Sequence, residues 1–255
     1  MKLPHSYDII GDILVFETKE KLTNKQEKQI AKELLKINKN VKIIAKRAEI
    51  HKGKYRTRKI KIISGENRKE TIHKESGIKI KLDVEKCYFS PRSSQERLRI
   101  SKLIKKNESV LVMFSGVSPF HLVIARHSKA KEIYGIEINP VAHKYAMENI
   151  RINKFTNIFL VKGDVKKELP KLKQKFDRII MPLPKTSESY LNLALKYLKN
   201  KGTIHLYLFS DEKDFSELKK SYSRKFKVKL TKCGVYAPRV YRVCLDLKRK
   251  VLNIL

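Results

Sequence analysis

Apolar positions along the chain follow two periods, and the change from one to the other divides the sequence. Residues 7–10 and 12–16 are short β-forming runs broken at Gly11. The spacing of Ile30, Leu34 and Ile37 predicts a helix over 24–37, with Thr23 as its cap and Gln26 completing a capping box. Short strands are expected over 41–45, 58–63, 70–74 and 78–84. Within them cations alternate with isoleucine, in Lys59-Ile60-Lys61-Ile62-Ile63 and again in Ile78-Lys79-Ile80-Lys81. A period of two puts apolar side chains on one face of a sheet and charge on the other. Residues 1–95 therefore predict a small α+β domain with a basic sheet face that suits RNA, although a solvated face is the commoner meaning of such alternation.

Beyond Tyr88-Phe89-Ser90-Pro91-Arg92 the pattern changes. Pro91 stops any strand, and Ser93-Ser94-Gln95-Glu96 opens a helix that should turn Leu98, Leu103 and Ile104 inward. Strand and helix then alternate. Strand 110–114 precedes helix 120–127, strand 132–136 precedes a helix after Asn139, and strand 158–161 leads into a short connection. Strand 178–181 precedes helix 188–198, and strand 203–209 precedes helix 214–222. The end reads as strands 227–231 and 240–248 joined by a loop. Residues 96–255 are thus expected to form an α/β domain, a βα series closed by an antiparallel hairpin, with the domain boundary near residue 95.

Charge adds a partner. The 255 residues include 59 Lys and Arg against 26 Asp and Glu, a formal net charge of +33, which points to a polyanion and first to nucleic acid. A lysine bias across a whole proteome would raise the charge too, but would not create the motifs below. Cys87, Cys233 and Cys244 are scattered without a Cys-x-x-Cys pair, which argues against structural zinc or a disulfide framework and for a reducing cytoplasm. No metal-ligand cluster is apparent, so metal-independent chemistry is expected. The N-terminus lacks the apolar core of a signal peptide, and no apolar run nears the roughly 18 residues that span a bilayer.

The candidate chemistry centres on residues 110–140. A run of β-formers enters the turn Ser115-Gly116-Val117-Ser118, a helix follows, and a second run ends in Glu137-Ile138-Asn139-Pro140. An acid about twenty residues past such a turn is where a nucleotide-binding fold holds ribose, since a carboxylate accepts from two hydroxyls. The turn has a single glycine and no Gly-x-Gly-x-x-Gly diphosphate cradle, which favours a nucleoside cofactor such as S-adenosylmethionine over NAD or ATP. Asn139-Pro140 starts a helix on any reading, and beside Glu137 it puts that start at the ribose site. Asp164, in Lys162-Gly163-Asp164-Val165, either builds a turn or accepts from an adenine amine. At the end of the fourth strand, Met181-Pro182-Leu183-Pro184-Lys185 departs from the Asn/Asp-Pro-Pro-aromatic motif of amino-group methyltransferases, which argues against an exocyclic amine as target. Its prolines still predict a rigid loop against the cofactor. Ser93 and Glu96 have capping-box spacing, and Arg56 has the look of an exposed strand cation.

Tyr88-Phe89-Ser90-Pro91-Arg92 with Glu96-Arg97, then Met113 to Phe120, Glu137 to Pro140 and Asp177 to Met181, together resemble the archaeal and eukaryotic tRNA (guanine-37 N1)-methyltransferases. Ser6 to Ile13 and Gly53 to Arg58 resemble that family's small middle domain. The resemblance implies a class I, Rossmann-like, S-adenosylmethionine-dependent domain that methylates N1 of the guanine 3′ of the anticodon. It implies Glu96 as the base that removes the N1 proton and Arg56 as the cation facing O6. It implies Arg97, Phe114, Gly116, Glu137, Ile138, Asn139, Asp164, Val165 and Pro182 around the cofactor, and Tyr88, Arg92 and Lys185 on the RNA. The expected partner is the anticodon stem-loop of tRNA, bound by a monomer.

Departures accompany the likeness. Relatives carry a further N-terminal domain that touches the tRNA elbow, and this chain starts where their middle domain should. Val112 stands where Asp is frequent, Ser115 where Ala is usual, and Pro182 where many members have Asn. The rival expectations are a wyosine-pathway transferase, moving an aminocarboxypropyl group or methylating a carbon of modified guanine 37, and a catalytically idle RNA-binding relative. Leu183-Pro184 favours methylation over aminocarboxypropyl transfer.

Overall fold

A computed structural model describes residues 3–4, 6–18, 20–48 and 55–250, so Gly53 and Lys54 of the middle-domain motif lie outside the described residues. Strands β1 (Tyr7–Ile10) and β2 (Ile13–Phe16) pair antiparallel across Gly11, whose φ of +58° is the left-handed geometry that glycine adopts without strain. Helix α1 (Asn24–Ile37) forms with the Thr23–Gln26 capping box in place. Strands β3 (Ile43–Arg47) and β4 (Ile60–Ser64) complete a sheet of order β1-β2-β3-β4, and α1 closes a core of Leu14, Phe16, Ile30, Leu34 and Ile44.

The second cation-rich run does not join this sheet. Strands β5 (Glu70–Glu75) and β6 (Ile78–Asp83) form a separate hairpin, and Ile78, Ile80 and Leu82 enter the core of the larger sheet. The expected single basic face is therefore split, and part of it is neutralised. Lys61 pairs with Glu27, while Lys81 pairs with Glu70 and Glu148.

After a 3-10 turn at Pro91–Ser93 come α2 (Ser94–Leu103), β7 (Ser109–Met113), α3 (Pro119–His127), β8 (Glu132–Glu137), α4 (Pro140–Asn153), β9 (Ile158–Lys162) and α5 (Val165–Glu168). Then follow β10 (Phe176–Met181), α6 (Leu191–Lys196), β11 (Leu198–Asp211), α7 (Phe215–Ser223), β12 (Phe226–Ala237) and β13 (Val240–Arg249). The seven strands are ordered β12-β13-β11-β10-β7-β8-β9, parallel from β11 to β9, with β13 and β12 antiparallel at one edge. This is the expected α/β architecture. Val110 and Val112 face one core while Leu111 and Met113 face the other, so β7 reads as an unbroken apolar run.

Four local expectations fail for identifiable reasons. The helix expected over 188–198 is a 3-10 turn at Ser187–Tyr190 and a short α6, because Leu198 is drawn into β11 opposite Phe176. The loop expected after residue 231 is mostly strand, since β12 runs on to Ala237. Leu103, at the last turn of α2, is 39% exposed, and Ile100 takes the inward place. Ser93 makes no cap hydrogen bond, because its hydroxyl accepts from Arg242.

Helix α4 holds the hairpin by its side chains. Asn149 accepts from the Lys81 N–H at 2.7 Å and donates to the carbonyls of Lys81 and Val117, at 3.0 and 3.1 Å. One turn on, Asn153 accepts from the Lys79 N–H and donates to its carbonyl. These amides complete the backbone pairing of β6 as a neighbouring strand would. Asn149 is fully buried, so Asn149→Ala leaves three backbone groups unpaired. The expected cost is about 3 kcal/mol, read as a lower urea midpoint; an unchanged midpoint would exclude this role.

His121 is fully buried, with Nε2 against the Tyr134 carbonyl at 3.2 Å. A Cβ at Gly135 would lie 2.2 Å from that nitrogen, so glycine there makes the room. Burial pushes the imidazole down from 6.5 to about 3, with the backbone contact opposing. Between those values the unfolded chain binds a proton that the folded chain refuses. Stability is full above pH 6.5 and falls as pH drops towards 3, by about 1.4 kcal/mol per pH unit for this one group. Urea midpoints at neutral and mildly acid pH should show that loss, and His121→Gln should reduce its slope.

Candidate active site

The chain crosses from β9 to β10 on the far side of β7, so the C-terminal ends of β7 and β10 mark the point where the strand order reverses, the place where open α/β sheets bind ligands. The loop leaving β7 is bent three times into left-handed backbone, at Phe114 (φ +61°), Gly116 (φ +57°) and Ser118 (φ +68°). Left-handed φ at a phenylalanine and a serine is strained, and such strain gathers at binding sites. The Ser115 and Ser118 hydroxyls are buried without a protein partner, two polar groups in a loop shaped to meet a ligand.

Glu137, at the end of β8, lies beneath this loop. One carboxylate oxygen accepts from the Gly116 N–H at 2.6 Å and the other from the Asn139 N–H at 2.7 Å. Burial raises its pKa, while the N–H groups of Asn139, Gly116 and Ile138 pull it back. Each oxygen keeps lone pairs for a hydroxyl. Asn139 caps α4 through Val141 and Ala142 and donates to the Lys86 carbonyl, with Pro140 in the first turn as expected. Asp164 caps α5 through the Lys166 N–H, so the turn reading holds for its side chain, and Val165 is buried behind it. Phe114 meets Tyr190 edge to face at 4.9 Å, and the charge of Asp164 adds to burial in raising the Tyr190 phenol. Tyr190 thus joins Phe114 and Asp164 across this end of the sheet, a residue with no motif to announce it. The loop holding Pro182 and Lys185 is tied by Ser187, which donates to the Met181 carbonyl at 2.7 Å and accepts from the Leu183 N–H. Lys185 is exposed. Left-handed turns, unpartnered hydroxyls and a terminal carboxylate fit a nucleoside cofactor whose ribose Glu137 would hold.

Glu96 is not a cap. It is 6% exposed on α2, facing the sheet, where the buried Tyr207 hydroxyl donates to Oε1 at 2.6 Å. Arg99 grips the same carboxylate at 2.7 and 2.8 Å and turns its other edge to Asp246, at 2.8 and 3.1 Å. Asp246 accepts from His205 Nδ1, and His205 Nε2 faces Arg178, which pairs with Glu108. Burial, helped by the Arg178 charge and opposed by Asp246, leaves His205 below its ordinary pKa. His205, Cys244 and Asp246 bring ligand-type atoms within 4.8 Å of one another, but Arg99 and Arg178 contact the group and disfavour a cation. Burial and then the Glu96 charge push the Cys233 thiol up to about 12.

The remaining candidates gather on the segment joining the two sheets. Arg97 is buried, pairs bidentately with Glu75, donates to the Ser90 carbonyl and lies over the Phe89 ring at 5.2 Å. It braces the 88–92 segment from below. Arg92 reaches the small sheet, donating to Asp8 at 2.7 Å and to Ser6 at 2.8 Å. Tyr88 is 46% exposed, and its backbone carbonyl is 3.8 Å from where a Cβ of Gly116 would stand. Arg56, in left-handed backbone with φ +54°, is half-buried; burial lowers its pKa and Tyr88 raises it, so the two side chains share one field. A separate cleft of about 550 Å³, lined by Lys201, Lys227, Lys229 and Lys248, lies at the opposite ends of the strands, away from this loop.

Comparison with known proteins agrees with this geometry. Residues 1–68 match the TYW2 N-terminal domain, and residues 71–235 match the TRM5/TYW2 methyltransferase domain. The chain is 40% identical over 255 residues to tRNA (guanine(37)-N(1))-methyltransferase Trm5b of Pyrococcus abyssi, covering 96% of this chain and 75% of that protein. It superposes on aTrm5 in its complex with tRNALeu with a TM-score of 0.87 at 35% identity, covering 97% of this chain and 73% of that one. Methanocaldococcus jannaschii Trm5 in complex with adenosine gives 0.83 at 34% identity, covering 96% and 72%. With both of its halves matched and a relative 40% identical along nearly the whole chain, the chain belongs to the TRM5/TYW2 methyltransferase family.

Proposed function

We propose that this chain transfers a methyl group from S-adenosylmethionine to N1 of guanine 37 in tRNA. The observation that carries the reading is its likeness along nearly the whole chain to an enzyme of that activity, 40% identical to it. S-adenosylmethionine supplies an electrophilic methyl group. Glu137 and the 114–118 loop would hold its nucleoside half, the N–H groups of Asn139 and Ile138 fix the Glu137 carboxylate, and Asp164, Val165, Phe114 and Pro182 would surround the base. Glu96 takes the N1 proton as that nitrogen is methylated, and Arg56 stabilises the charge that gathers on O6. Arg97 acts through the 88–92 segment it braces. Tyr88, Arg92 and Lys185 face the RNA, which is the anticodon stem-loop of tRNA bound by one copy of the chain. The division of labour follows residue 95, with the small domain over 1–95 presenting Arg56 to a catalytic domain over 96–255.

A second reading has one observation in its favour. The N-terminal match is to the TYW2 N-terminal domain, and a tRNA(Phe) (4-demethylwyosine(37)-C(7)) aminocarboxypropyltransferase is 34% identical to the chain over 251 residues. Incubating unmodified tRNA and, in parallel, tRNA already carrying a modified guanine 37 with the chain and S-adenosylmethionine, then measuring the mass of the position-37 nucleoside, separates the two. A methyl increment together with a reverse-transcription stop at that position supports the proposal. An aminocarboxypropyl increment, found only on a pre-modified guanine, would replace it.

A further inference from the structure

We infer that the tip of the β12–β13 hairpin is a stacking platform for an RNA base next to the target nucleotide, with Tyr236 as its face. This deepens the proposed function and rests on it.

The register of β12 on β13 shifts twice, between Lys232 and Gly234 and between Val235 and Ala237, so that Cys233 and Tyr236 have no partner across the ladder. A bulge re-aims the extra side chain, and bulges concentrate beside functional sites. The first bulge turns Cys233 into the field of Glu96. The second lies three residues on, which puts Tyr236 ~10 Å further along the strand. That direction leads to the substrate edge: Phe209 stands near the C-terminal end of β11, which runs parallel to β10 and, through it, to β7.

There the surface is aromatic and bare. Tyr236 is 58% exposed, and its neighbour Val235, at 73%, is the most exposed large hydrophobic among the described residues. The Tyr236 ring rests on Phe209, with centroids 4.2 Å apart at 35°. A ring backed by a second ring is rigid, and its exposed area suits any flat π-system. Arg242 fastens the hairpin to the start of α2, donating to Ser93 at 2.7 Å and to the Cys233 carbonyl at 2.9 Å. Arg239 sits at the turn in left-handed backbone with φ +61°. Aromatic surface flanked by arginines, on a chain of net charge +33, matches a base with its phosphates rather than an apolar protein surface.

The test pairs Tyr236→Ala and Tyr236→Phe with tRNA transcripts made abasic on one side or the other of the target. Tyr236→Ala should weaken tRNA binding roughly 5- to 150-fold, with S-adenosylmethionine affinity and melting temperature unchanged, and Tyr236→Phe should bind within about twofold of wild type. One of the two abasic transcripts should bind wild type about as poorly as intact tRNA binds Tyr236→Ala, and the two losses should not add. Wild-type tRNA binding with an unchanged Tyr236→Ala, or with fully additive losses, overturns this inference and leaves the proposed function standing. A wild type that does not bind tRNA overturns both. Self-association that Tyr236→Ala abolishes would give the platform to a second copy and overturn RNA as its occupant.

Discussion

Glu96→Gln should leave S-adenosylmethionine affinity within about twofold and slow single-turnover methylation roughly 10²–10⁴-fold, the usual worth of a positioned base. The substitution is conservative in shape. The amide oxygen can still accept from the Tyr207 hydroxyl, and Arg99 keeps its two bonds to Asp246, so the packing of α2 on the sheet survives. What disappears is the ability to accept a proton. Rapid-quench measurement on saturating tRNA isolates that step, and calorimetry with the cofactor supplies the control. A variant within tenfold of the wild-type rate would remove Glu96 from the chemistry and leave it as a structural partner of Arg99.

Glu137→Ala should act on the other side of that division. It removes the acceptor for the Gly116 and Asn139 N–H groups, which fixes the loop after β7 to the start of α4, and it removes the proposed ribose acceptor. Hydrogen bonds to a charged group contribute about 1.5–3 kcal/mol each, so cofactor binding should weaken by about 10²-fold or more. Calorimetric titration with the demethylated product measures this without turnover. Glu137→Gln, which keeps an acceptor oxygen for one of the two N–H groups, should fall between wild type and alanine. An alanine variant that binds within threefold of wild type would exclude the ribose assignment.

The parts of this site that were legible in the sequence are those whose partners lie nearby in the chain. Glu137, Gly116 and Asn139-Pro140 fall within a single βαβ unit, and the strand period announces where each sits. The alternation of strands and helices was readable because β7, β8 and β10 bury apolar side chains on both faces. Glu96 was not readable as anything but a cap without the family resemblance, because Tyr207 reaches it from β11, and Asp246, on β13, is tied to it only through Arg99. Local spacing could not tell a capping glutamate from one pulled towards the sheet. The cation-rich strands misled for the same reason. Glu27, Glu70 and Glu148, which neutralise Lys61 and Lys81, are brought to them by tertiary packing or strand pairing. The hairpin bulges at Cys233 and Tyr236 leave no hydrophobic period, so that stretch read as a loop.

The two asparagines of α4 have a meaning beyond holding a hairpin in place. A two-stranded ribbon has open edges, and an open edge is a template on which another chain can add a strand and begin an aggregate. On β6, side-chain amides from Asn149 and Asn153 already satisfy the N–H and C=O groups of Lys79 and Lys81. Deamidation to aspartate would remove each donor while keeping the side chain's shape, reopening the edge at the two carbonyls. The long-term solubility of this chain, and not only its folding, therefore depends on two amide groups remaining chemically intact.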